Sequence, residues 1–236
     1  MTRSRLIILF VAAFLLALPV FAPLSMVMQL AAPSGALSAK SVTGSVWRGR
    51  ISGAVIVGLT LGDIKTRLQV LPLLIGGLKL ETTARGGAFA GTAVLVRSGR
   101  TQGVEDVAGM VSLDQVGLGV LAQGGLKLQG VTALFDRDRC AKAGGKATAQ
   151  VGGSGLIPQP VDLSGQAVCR DGQWFLPLSG DAQGLRIEAN IAVAANGGWR
   201  TELILIPTDP ALAQGLAASG FTQDGERWRR VLEGHS

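Results

Sequence analysis

The chain has 236 residues, of which 47% are hydrophobic, 16% charged and 34 are glycine, with no tyrosine and a formal charge of +6. That length suits one domain plus a targeting segment. The hydrophobic content excludes a disordered chain, which combines low hydrophobicity with high net charge, and glycine with many Val, Leu and Ile points to β-strands and tight turns rather than a helical bundle.

Leu6 to Ala32 is a run of 27 residues without a charge, and about 20 apolar residues span a bilayer as a helix. Arg3 and Arg5 on its short side favour a cytoplasmic N-terminus and a body on the far side of the membrane. Residues 1–32 are therefore read as a cytoplasmic stub and transmembrane anchor. The competing reading is a cleaved signal peptide, with Leu6–Leu18 as its apolar region and Val20-Phe21-Ala22 as its cleavage site. Pro23 directly after that cut, and the apolar run continuing through Leu30, favour retention. Pro19 and Pro23 kink or interrupt the helix. Without Arg3 and Arg5 the exported part keeps 20 basic against 16 acidic residues. A nucleic-acid partner would want a basic face with stacking aromatics. Lys and Glu instead alternate as on a solvated face, so no nucleic-acid partner is expected.

Residues 33–40 read as a linker and 41–236 as the β-rich body. Ile64, Thr66, Leu68 and Val70 alternate with Lys65, Arg67 and Gln69. The same alternation holds at 78–81, at 161–164 and from Leu185 to Val193. Such runs are strands with one buried and one wet face, usually in an antiparallel sheet. Paired glycines at 76–77, 86–87, 124–125, 144–145, 152–153 and 197–198 mark turns. Leu71–Ile75 suits a single helical turn. Asp114 suits the cap of a short helix to Ala122. A second helix is expected from Thr208 and Pro210 to Ser219, stopped by Gly220, and a last strand over 226–233. Gly76-Gly77-Leu78-Lys79-Leu80 recurs at Gly124-Gly125-Leu126-Lys127-Leu128, as a duplicated strand–helix–strand unit or by coincidence.

Cys140 and Cys169 are the only cysteines. An even count in an exported chain favours a disulfide over two buried thiols. His235, the only histidine, is second from last, in what reads as a frayed tail, so neither a Ser/His/Asp or Cys/His system nor a metal site is expected. Glu105, Asp106 and Asp114 read as turn and cap carboxylates rather than a facing pair. No phosphate-binding or dinucleotide fingerprint occurs. The chain is thus expected to be no enzyme and to hold no cofactor and no metal.

Gly44-Ser45-Val46-Trp47-Arg48-Gly49, a Gly-x-Val-Trp-x-Gly element soon after the anchor, resembles the type II secretion system protein N family. Leu71-Pro72-Leu73-Leu74 running into Gly77-Leu78 is similar to that family's Leu/Gly step. Cys169-Arg170-Asp171-Gly172 before a strand, and Gly220-Phe221-Thr222 through Gly225-Glu226-Arg227-Trp228 near the end, agree with it. The resemblance covers essentially the whole chain and rests on the order of these motifs, with Gly44, Val46, Trp47 and Gly49 as its signature. It implies a single-span inner-membrane protein with a periplasmic body, acting as an accessory subunit through contacts with other type II secretion subunits. Trp47 is a core residue or a contact residue on this reading. The rival expectation is an anchored lipid-binding or lipid-transfer protein, whose open, curved sheet offers acyl chains an apolar trough. The expected fold is mainly β: an N-terminal transmembrane helix, then a curved, largely antiparallel sheet with one or two short helices.

Overall fold

The computed structural model describes residues 37–45, 47–56, 59–113, 124–152, 160–182, 184–208 and 210–235. The expected anchor, Val46 and the short helix expected at 114–122 lie outside the described residues. Among those described, no helix is long and apolar enough to cross a membrane.

The first half of the sheet comprises β1 (Leu37–Ser38), β2 (Ser41–Ser45), β3 (Arg48–Ile56), β4 (Leu59–Leu68), β5 (Gly77–Arg85), β6 (Phe89–Ser98), β7 (Thr101–Ser112) and β8 (Gly124–Asp136). The second comprises β9 (Arg139–Val151), β10 (Val161–Gln166), β11 (Val168–Arg170), β12 (Gln173–Ala182), β13 (Leu185–Val193), β14 (Gly198–Pro207), β15 (Thr222–Asp224) and β16 (Arg227–His235). Two short helices accompany them, α1 (Val70–Leu74) and α2 (Pro210–Ala218). All the described strands form one antiparallel sheet in which β3 to β10 follow chain order, then β12, β13, β14, β16 and β15. Leu37 and Ser38, read from sequence as linker, pair with Ile56 and Val55.

Alternation sorts the two faces. On β13, Leu185, Ile187 and Ala189 are buried while Arg186 is exposed. The register places Leu178, Ala189 and Leu203 side by side across β12–β14. A second apolar row, Phe89, Val111, Leu126, Ala149 and Leu163, crosses β6–β10. The main core fills the C-terminal half, where Leu216 of α2, Phe221 and Trp228 close over it. Among the described residues, β3 and β4 at the other end of the sheet carry a separate small cluster around Ile51 and Ala54. α2 stops as its sequence suggests: Gly220 has φ +81°, and the Phe221 amide bonds back to the Leu216 carbonyl, a glycine-terminated helix end.

The sheet is sharply curved. Register shifts interrupt β3 between Ile51 and Ala54, β6 between Thr92 and Val94, β7 between Val104 and Val107, and β8 between Gln129 and Thr132. Through the pairings these irregularities line up into one crease across the strands. It continues to Ala167, between β10 and β11, whose amide donates to the Gly145 carbonyl. A bulge bends its strand and adds twist, and a row of bulges bends a sheet. Gly53, Gly130 and Gly145 sit in the crease at φ +61°, +61° and +91°, where only glycine is free of strain. A Cβ on Gly145 would also press on Gly130 and Val131 of the facing strand.

Curvature brings Trp174 of β12 to β8. Its ring N–H donates to the Thr132 carbonyl at 3.0 Å, and the bond is buried. In sheet order β9 and β10 lie between these strands, so a flat sheet would separate them by about 14 Å. The bond therefore exists only because the sheet folds over on its apolar face.

Several expectations are corrected here. Val70 does not continue the inward row of β4 but lies exposed in α1, because the strand ends at Leu68. Glu105 is no turn residue: it lies within β7, held by Lys79 at 2.7 Å. Asp106 beside it takes φ +51° in the bulge, a conformation Asp tolerates better than most residues. His235 is not in a frayed tail but ends β16, opposite Gly198, because β14 extends far enough to pair it. The two Gly-Gly-Leu-Lys-Leu copies lie at the starts of β5 and β8, which run in opposite directions in the sheet.

Replacing Trp174 by Phe keeps a ring in the core but leaves the buried Thr132 carbonyl short of a donor. It should cost about 1–3 kcal/mol, and Trp174→Ala about 3–5 kcal/mol, both read as a lowered midpoint in urea unfolding.

Candidate interaction surfaces

The strand turns at one end of the sheet gather most of the residues singled out from sequence. β2 and β3 form a hairpin in which Gly44 faces Gly49. Gly44 has φ +92°, and a Cβ there would overlap the Arg48 carbonyl oxygen. Glycine is thus required both by the backbone and by the close approach of the facing strand. The turn is tightened by the Arg48 amide, which donates to Ser45 Oγ at 3.4 Å. Trp47 is half-buried rather than in either core cluster, and its carbonyl accepts from the Leu68 amide at 3.3 Å. The signature hairpin is therefore tied to the last residue of β4, immediately before α1.

α1 follows Gln69, whose amide donates to the Lys79 carbonyl at 2.9 Å and whose side chain donates to Glu81 at 2.7 Å. The Ile75 amide returns to Pro72, the Gly76 amide to Leu73, and Gly76 at φ +76° leads into β5. This step packs few of its side chains: Leu71 is 78% exposed, Ile75 86% and Val70 57%. The single helical turn expected at Leu71–Ile75 is present, one residue earlier, as Val70–Leu74. Its sequence signal is the unbroken run Val70-Leu71-Pro72-Leu73-Leu74-Ile75, which abandons period-2 alternation at a strand end.

Cys140 at the start of β9 and Cys169 in β11 are joined by a disulfide, with Cα atoms 5.6 Å apart and 29 residues of separation. The Cys140 amide donates to the Gly172 carbonyl at 2.7 Å. Nearby, the Arg170 guanidinium lies 5.1 Å from the centre of the Phe175 ring, within cation–π range. The bond holds β9 to β11 beyond the point where β10 ends. Among the described residues no group of three or more His, Cys, Asp or Glu is placed to hold a metal ion.

The sheet also has open margins. Among the described residues β2 pairs only on its β3 side. β15 covers β16 only from Arg227 to Arg229, leaving Arg230–His235 without an outer partner strand among the described residues. Unpaired margins of this kind accept an added strand through main-chain hydrogen bonds. The apolar face, by contrast, encloses a cavity of about 60 Å³ lined by Leu113, Leu126, Leu163, Leu178, Ile187 and Leu203 among others.

A family model described as type II secretion system (T2SS), protein N, matches residues 35–231. No curated protein and no solved structure gives a match.

Two outcomes are expected at this end. Gly44→Ala should destabilise by about 1–3 kcal/mol, the cost of forcing a side chain into a strained backbone region, seen as a lowered melting temperature. Replacing both cysteines by serine should cost about 3–4 kcal/mol for a loop of this length. The double variant should then match the wild type unfolded under reducing conditions.

Proposed function

Because the chain belongs to the type II secretion system protein N family, we propose that it is an accessory, structural subunit of that secretion machinery, anchored in the inner membrane with its β body in the periplasm. It works through protein–protein contacts in the export of proteins from the periplasm and performs no chemistry of its own. The observation that carries this reading is the extent of the family match, which runs from just before β1 into β16 and so takes in nearly the whole sheet. The uncharged stretch behind Arg3 and Arg5 supports the topology. The open margins at β2 and at Arg230–His235 supply main-chain docking sites for neighbouring subunits.

The alternative, a lipid-binding groove, has the apolar face in its favour. The cavity described on that face is about 60 Å³, small beside the roughly 300–1,000 Å³ of typical small-molecule pockets, and the family match over residues 35–231 puts the secretion reading first.

Photo-crosslinkers placed at Thr43 on β2 and at Val231 on β16 should capture other type II secretion subunits in intact cells. Loss of the gene should strand exported proteins in the periplasm, wholly or in part. Wild-type secretion with no such crosslinks, and phospholipid recovered with the purified protein, would transfer the assignment to the lipid groove.

A further inference from the structure

Independently of the secretion reading, we propose that the α1 end of the sheet rests on the headgroup surface of an anionic phospholipid bilayer, with Leu71 and Ile75 inserted below the phosphates. The α1 step is a run of apolar residues, and Ile75 and Leu71 are the most exposed large apolar side chains among the described residues. Single exposed apolar residues need no explanation, whereas a contiguous group of them does. What surrounds this group indicates its occupant. Arg48 and Arg67 stand directly opposite each other on β3 and β4, and Arg97 stands opposite Leu78. All three arginines are exposed.

Like charges directly opposite on neighbouring strands repel each other. The nearby carboxylates resolve this only in part. Glu81 stands opposite Arg67 as a countercharge while also accepting from the Gln69 side chain, Glu105 is held by Lys79, and Asp136 sits 3.9 Å from Arg100 in the next turn. Among the described residues Arg48 and Arg97 form no ion pair. A layer of lipid phosphates would neutralise Arg48 and Arg97 while the tails receive the apolar step. Trp47, half-buried in the adjoining hairpin, is the aromatic type enriched at membrane–water interfaces. Apolar insertion with flanking cations is how interfacial segments hold a bilayer.

The test uses the full chain, with both native cysteines in their disulfide. Leu73→Cys provides one free thiol in α1 while leaving Leu71 and Ile75 in place, and Thr148→Cys, exposed in mid-β9, provides a reference. Each is labelled with an NBD fluorophore and the protein is reconstituted into vesicles of phosphatidylethanolamine and phosphatidylglycerol, or of phosphatidylcholine alone. The position-73 label should emit to the blue and be quenched several-fold by nitroxide-bearing lipid in the anionic vesicles, and much less in phosphatidylcholine. The position-148 label should respond to neither. Leu71→Gln with Ile75→Gln should abolish the quenching, and Arg48→Gln with Arg97→Gln should reduce it to the phosphatidylcholine level. Equal response of the two labels in anionic vesicles overturns the proposal. So does quenching that ignores lipid charge and the arginine substitutions, or protection that appears only when other membrane proteins are added, which would make the occupant a protein.

Discussion

The hydrogen bond from the Trp174 indole to the Thr132 carbonyl is the constraint on which the rest of the sheet depends. It joins two strands that are not neighbours, and it does so inside the apolar core. Burying the carbonyl without a donor would carry a desolvation cost, and burying the indole without an acceptor would do the same. Both are avoided only at one curvature. The bond thus selects a single folded-over shape from the many bends that a long antiparallel sheet could adopt. Around it the core cluster of the C-terminal half can close, with α2 and Phe221 as its lid.

Curvature of that degree needs a weak line in the sheet, and the crease supplies it. Four strand pairs slip register along it, and glycines with positive φ occupy its sharpest points. Lys79 and Glu105 reach across β6 on the opposite face. The disulfide pins β11 to β9 where the strand formed by β10 and β11 breaks. The apolar interior is also unequal along the strand order, large in the later strands and small in the earlier ones.

Much of this architecture is legible in the sequence because period-2 patterning is local. Leu185, Ile187 and Ala189 against Arg186 announce β13 and its buried face without any tertiary information. Thr208, Pro210 and Gly220 bracket α2 for equally local reasons. The two cysteines suggest their own pairing through parity and compartment. What sequence reading cannot reach depends on register. Nothing local in Glu105 distinguishes a turn carboxylate from one ion-paired across a strand. His235 is ordered by the length of β14, not by its own neighbours. The signature hairpin and the leucine step lie more than twenty residues apart in the chain, and their meeting at Leu68 follows only once β3 and β4 are paired. The bond from Trp174 to Thr132 spans 42 residues and leaves no periodic trace.

The meander has a kinetic consequence. From β3 to β14, apart from the short β11, every strand has a neighbour that precedes it in the chain. Chains are made from the N-terminus onward, so each new strand can be zipped onto a partner already present. Low sequence separation between partners is the condition for rapid folding of a β protein. The order reverses only at the end, where β16 passes β15 to lie against β14. Until β16 arrives the growing sheet carries β14 as a bare leading edge, and afterwards that edge passes to Arg230–His235 of β16 among the described residues.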